Sequence, residues 1–168
     1  MYGFRRDGQK LIFELNDEII LIEPWGADSL RIRASCTSTI QYDLPSALLP
    51  AKPSEPQIDI SEDRGTILNG AILGEINIEE DFSGPRAELH FYNSQTGEEV
   101  LAETASHFPK YPSRYYKHYG CDFFKIEQRF QAYDGERIYG LGQHQHGKLD
   151  QKGIVMDQIG RASCRERV

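Results

Sequence analysis

Tryptophan occurs once in the 168 residues, at Trp25, and cysteine three times, at Cys36, Cys121 and Cys164. That odd, widely spaced set contains no Cys-x-x-Cys pair, which excludes a disulfide framework and a thiolate zinc knuckle. It reads instead as buried free thiols in a reducing compartment. No apolar run approaches the roughly 20 residues that span a bilayer. Arg5-Arg6 is followed by no apolar signal core, because Lys10–Leu15 is short and is broken by Glu14. The expectation is a cytoplasmic protein with no membrane partner, unless the true start lies upstream. Positive charge is also scarce: 19 Lys and Arg against 26 Asp and Glu leave −7, the wrong sign for a phosphate-binding surface and hence for nucleic acid. Gly-x-Ser-x-Gly, the phosphate-loop glycine pattern and Cys/His nucleophile spacing are all missing. Apolar residues nowhere recur at helical spacing for more than about two turns, so little helix is expected.

What is present is alternation. Lys10–Leu15 and Glu18–Glu23 form two strands around Asn16-Asp17, a two-residue hairpin loop. From Ser29 to Ser35, Leu30, Ile32 and Ala34 face one way and Arg31 and Arg33 the other. Leu44 to Pro56 holds Pro45, Pro50, Pro53 and Pro56 and is a loop or edge connection, since proline cannot donate to a ladder. Strands resume at Gln57–Ile60, then Thr66–Leu68 and Ala71–Ile78 after a Glu62–Gly65 turn. Arg86–Tyr92 and Glu99–Ala102 flank a turn at Asn93–Gly97. Phe124 to Ala132 is expected to be the longest strand, with Phe124, Ile126, Phe130 and Ala132 on its apolar face and Gln128 the one polar residue among them. Asp134-Gly135 turns it into a further strand at Glu136–Tyr139. The segment His107–Tyr119, rich in tyrosine and proline, reads as a long aromatic loop, and Glu79-Glu80-Asp81 as a solvated turn. Short alternating strands punctuated every 8–12 residues argue for an all-β sandwich or barrel.

The last ten residues, Ile159–Val168, have no period of either kind, and from Gln158 onward they can be back-translated into a sequencing-adapter sequence. Residues 158–168 are therefore expected to be a translation artefact and residues 1–157 one β-sandwich domain, lacking further strands if the native frame continues. Three arginines and one glutamate fall in that tail, which leaves −9 on residues 1–157.

The run Phe130-Gln-Ala-Tyr-Asp-Gly-Glu-Arg-Ile-Tyr-Gly-Leu-Gly-Gln-His-Gln-His-Gly-Lys-Leu-Asp-Gln-Lys-Gly153 resembles the N-terminal domain of family 31 glycoside hydrolases, closest to the α-xylosidases. Weaker pieces agree in order: Ile22–Gly26 leading to Ser29–Arg33, then Leu68-Asn-Gly70 and Leu89–Asn93. The resemblance implies a galactose-mutarotase-like β-sandwich packed on a catalytic (β/α)₈ barrel. It also implies a retaining exo-α-glycosidase whose two catalytic aspartates lie in the barrel, so no catalytic residue falls on this chain. The implied substrate is an α-linked xyloside or glucoside oligosaccharide, with xylose released from xyloglucan fragments. No cofactor or metal is required, and a homo-oligomer of the parent stays open.

Gly140 and Gly142 bracket Leu141 where a strand leaves the sheet; lacking Cβ, they permit a bend and close approach of another backbone. Beyond them, Gln143, His144, His146, Lys148 and Asp150 offer the side chains that hold sugar hydroxyls. They are candidates for a substrate-binding rim loop, with a plain solvated loop as the other reading. His144 and His146 share a side on extended backbone, a metal-ligand spacing, but only Asp150 stands near as a third ligand. Trp25, between Pro24 and Gly26, is either a sugar platform or a packed strand end. Two rival readings are a stand-alone carbohydrate-binding or mutarotase-like sandwich, which needs clustered His and Glu, and a non-catalytic interaction module.

Overall fold

The computed structural model describes residues 2–42, 48–50, 54–81, 84–106, 111–120, 123–139 and 147–154, and every regular element among them is a β-strand. β1 (Tyr2–Asp7), β2 (Lys10–Leu15), β3 (Glu18–Pro24) and β4 (Leu30–Ser35) form one antiparallel meander in sequence order. β5 (Gln57–Ile60), β6 (Arg64–Asn69), β7 (Ile72–Asp81), β8 (Gly84–Asn93) and β9 (Glu99–Ala102) form a second. β10 (Arg114–His118) and β11 (Phe124–Gln128) pair as a separate hairpin. The chain divides into two units, 1–131 and 132–168, and all the strands belong to the first.

Alternation builds the sandwich. Leu11, Phe13, Leu15, Ile20 and Ile22 of the first sheet and Ile67, Ile76, Ala87, Leu89 and Phe91 of the second make one buried cluster. Each fully buried Leu, Ile or Phe stabilises the fold by about 1.5–3 kcal/mol over exposure. Packing is close enough that Gly65 fits only as glycine: a Cβ there would lie 2.6 Å from the Phe4 ring, which itself packs 4.7 Å from Phe13. The outer face of the first sheet is apolar as well. Ile12, Ile19 and Leu21 are buried there with Ile40 packed on them, so β2 and β3 read as nearly continuous apolar runs.

The weak motifs around Trp25 and Asn69 meet in space. Asn69 Nδ2 donates to the carbonyls of Gly26 (2.9 Å) and Ser29 (2.8 Å), and the Ala71 amide donates to Asp28 Oδ1 (2.8 Å). Between them Gly70 has φ +58, and a Cβ there would lie 2.3 Å from the Ala27 carbonyl oxygen. The β6–β7 turn thereby clasps the β3–β4 turn. Trp25 is a packed strand end: its amide donates to Ser29 O at 2.9 Å, and the Arg31 guanidinium lies 4.6 Å from its ring centroid.

Several sequence expectations need correction. The longest strands are β7 and β8, ten residues each, whereas β11 ends at Gln128. At Arg129 the chain changes partners. The Arg129 amide still bonds Ser113 O of the hairpin side, but Phe130 bridges to Glu103, and the Gln131 amide donates to Ala102 O at the edge of the second sheet. Glu136–Tyr139 is not a strand; there a side chain, not a ladder, satisfies the Ile138 amide. Arg114–His118, placed in an aromatic loop from its tyrosines, is β10, and Glu79-Glu80-Asp81 ends β7 instead of turning. In β4 the alternation holds, but Ile32 and Ala34 are exposed while Arg31 and Arg33 are half-buried against Glu23, because β4 is the outermost strand of its sheet.

Candidate functional site

Of the proposed rim residues, Gln143, His144 and His146 lie outside the described residues, as do Gly140, Leu141, Gly142 and the 158–168 tail. Lys148 is exposed, and its carbonyl accepts from Gln151 Nε2 at 2.6 Å. Asp150 Oδ1 accepts from the amides of Lys152 (3.0 Å) and Ile138 (3.1 Å). Those amides, that of Lys152 first, hold the Asp150 carboxyl below its usual range. Gln151 is buried, with Oε1 unpartnered, while its Nε2 ties back the Lys148 and Leu149 carbonyls. Lys152 Nζ donates to the Tyr133 carbonyl. Asp150 thus works as a local backbone tie.

Sequence reasoning missed a second constellation, in the unit of residues 1–131. Arg114, the first residue of β10, is buried and donates from Nε to Glu18 Oε1 (2.8 Å), from Nη2 to the Ala87 carbonyl (2.8 Å) and from Nη1 to Glu103 Oε2. Glu103 is buried as well. It also accepts from the Leu89 amide (2.9 Å), Ser113 Oγ (3.2 Å) and Gln128 Nε2 (2.6 Å). Burial opposes the Arg114 charge, but Glu18 and then Glu103 outweigh it and hold the guanidinium firmly protonated. This network braces the hairpin against β3, β8 and the end of β9. Gln128, the polar residue on an apolar face, is there to bond Glu103. The signal that could have found it is Glu103 itself, a charged residue inside the apolar-periodic stretch that closes β9.

In front of Arg114 opens a cleft of about 450 Å³. The β2–β3 turn (Leu15–Glu18), Cys36, the start of β8 (Gly84–Ala87), Tyr111, Pro112, Tyr116 and Phe124 line it. Burial, and next the Glu18 carboxylate, push the Tyr116 phenol above its ordinary range. Cys36 is a half-buried free thiol; Cys121 and Cys164 lie outside the described residues. His90 bonds Glu99 (2.8 Å) and His118 meets the Phe124 ring edge-on at 5.0 Å, so these two do not share a cluster. Among the described residues no group of three His, Cys, Asp or Glu is placed to hold a metal, and no helix is long and apolar enough to cross a membrane.

Two antiparallel sheets sharing one core, with a hairpin braced on them through Arg114 and Glu103, define a β-sandwich. A curated relative, the uncharacterized family 31 glucosidase ORF2 of Pseudescherichia vulneris, is 31% identical over 87% of this chain. The crystal structure of a family 31 α-xylosidase from a soil metagenome, complexed with xylose, superposes at a TM-score of 0.76 with 33% identity over 90% of the chain. No family model matches. The chain spans 29% of the first relative and 24% of the second. In sequence and fold the chain is thus similar to a part of these two family 31 proteins, and its own fold is a β-sandwich.

Proposed function

We propose that the chain is the non-catalytic N-terminal sandwich of a longer, retaining, exo-acting α-glycosidase that releases xylose from xyloglucan oligosaccharides. The observation that carries this reading is the joint match, in sequence and fold over nine-tenths of the chain, to a family 31 α-xylosidase crystallised with xylose. The chain braces the catalytic part and lends the loop that carries Gln143, His144, His146 and Lys148 to the rim of the substrate site, with Asp150 holding the backbone beside it through the Ile138 and Lys152 amides. Its partner is a neutral α-linked xyloside or glucoside oligosaccharide, not nucleic acid or membrane, and its compartment is the cytoplasm.

The test is to express the uninterrupted reading frame beside the 168-residue chain and assay both on aryl α-xyloside and aryl α-glucoside. Turnover by the longer protein with preference for the xyloside, and none by the chain, is expected. Preference for the glucoside would move the parent to the α-glucosidases; turnover by the chain alone would overturn the non-catalytic role.

A further inference from the structure

We infer that the cleft in front of Arg114 is a binding subsite for one neutral sugar unit. Its volume of about 450 Å³ falls in the range of small-molecule sites, which are concave, largely apolar and supplied with a few polar groups. The apolar wall is aromatic: Tyr111, Tyr116 and Phe124, with the Phe124 ring partly open to solvent. Such rings have an electron-rich face that suits the C–H face of a pyranose.

The polar floor discriminates between ligand classes. A guanidinium has five N–H donors. Arg114 spends three on Glu18, Glu103 and the Ala87 carbonyl, so two remain for a ligand in the cleft that it lines. Its side chain is 5% exposed and locked by those bonds, so a ligand meets a donor that has already lost its rotamer freedom. Glu18 supplies acceptor capacity beside it, since an ionised carboxylate accepts about four bonds. A donor and an acceptor side by side fit a hydroxyl, which both gives and takes a proton. Charge points the same way: the lining holds Arg86 and Arg114 together with Asp17 and Glu18, and Glu103 bonds Arg114. The cleft carries no net positive charge to attract an anion, and its two carboxylates repel one.

The choice of an α-xyloside as the sugar rests on the function proposed above; the preference for a neutral polyol rests on the cleft. The 168-residue chain, labelled with ¹⁵N, is titrated with methyl α-xyloside, then with a xyloglucan oligosaccharide, and separately with sulfate, and the Arg114 Nε–Hε signal is followed. Saturable shifts with the sugars and none with sulfate are expected. Phe124→Ser, at a solvent-open position, and Tyr116→Ala should each weaken binding roughly tenfold or more. Absence of a saturable shift, saturation by sulfate, or sugar binding untouched by both substitutions would overturn the proposal. Turnover by the longer protein is a separate readout. A silent cleft beside an active parent sinks only this inference, and an inactive parent beside a sugar-binding cleft sinks only the enzymatic reading.

Discussion

Glu103 shows how much a single side chain can hold. Its carboxylate accepts from Leu89 of β8, from Ser113 just before β10, from Gln128 of β11 and from the guanidinium of Arg114. Removing one partner of a buried ion pair leaves the other charge uncompensated, at a cost of about 3–5 kcal/mol. Because Arg114 keeps Glu18 and the Ala87 carbonyl, Glu103→Ala is expected to lower the unfolding free energy measured in urea by about 3 kcal/mol, the low end of that range. The double variant Glu103→Leu with Arg114→Met should recover part of the loss, because apolar replacement of both partners removes the desolvation cost. Asp150 is the contrasting case, an acid tied to two amides near the surface. Its folded pKa lies below the unfolded one, so the tie is in place above the ordinary aspartate range and is lost as pH falls through the depressed folded value. Carboxyl and amide shifts of Asp150, Ile138 and Lys152 should co-titrate below that range, and Asp150→Asn should abolish the shared transition. The sequence flags Glu103 only as a charge beside an apolar stretch and gives neither residue's partners. The partners of Glu103 lie 10 to 25 residues away, and a pattern of alternation says which face a residue takes, not what waits there.

Strands and tight turns were far more readable. The Asn16-Asp17 hairpin, β9 and the Asn93–Gly97 turn fall where alternation and turn chemistry put them, because each is settled by neighbours in sequence. The clasp between Asn69-Gly70 and the Trp25–Ser29 turn shows what the scattered motifs do physically: they sit some 40 residues apart and form one joint. Gly70→Ala should strain both the positive φ and the Ala27 carbonyl contact and cost about 1–3 kcal/mol, read from thermal unfolding. Asp28→Ala, which removes only the Ala71 hydrogen bond, should cost less. The hairpin β10–β11 was misread for two reasons. Tyrosines beside prolines look like loop, and a period-two pattern running through Arg129 cannot reveal that the backbone exchanges one partner strand for another.

For the whole molecule, burial is uneven. The sandwich core is closed, but Tyr119 (77% exposed), Phe123 (72%) and Ile126 (64%) on the hairpin stand in solvent. Large apolar side chains exposed on one element mark a contact surface or an aggregation liability. The isolated chain is expected to self-associate as concentration rises in light scattering, and Phe123→Ser with Ile126→Ser should shift it toward monomer while leaving the core, and therefore the unfolding midpoint, little changed. Monomeric behaviour of the parent-type sequence at high concentration would count against this.

The partner exchange at Arg129 has a mechanical consequence. Residues 129–131 both terminate the hairpin and shield the outer rim of β9 through Ala102, Glu103 and Thr104. Any fluctuation that peels the hairpin away must at the same moment bare an unpaired strand rim to the solvent. The cover over that rim lasts only as long as the partner exchange at Arg129 holds.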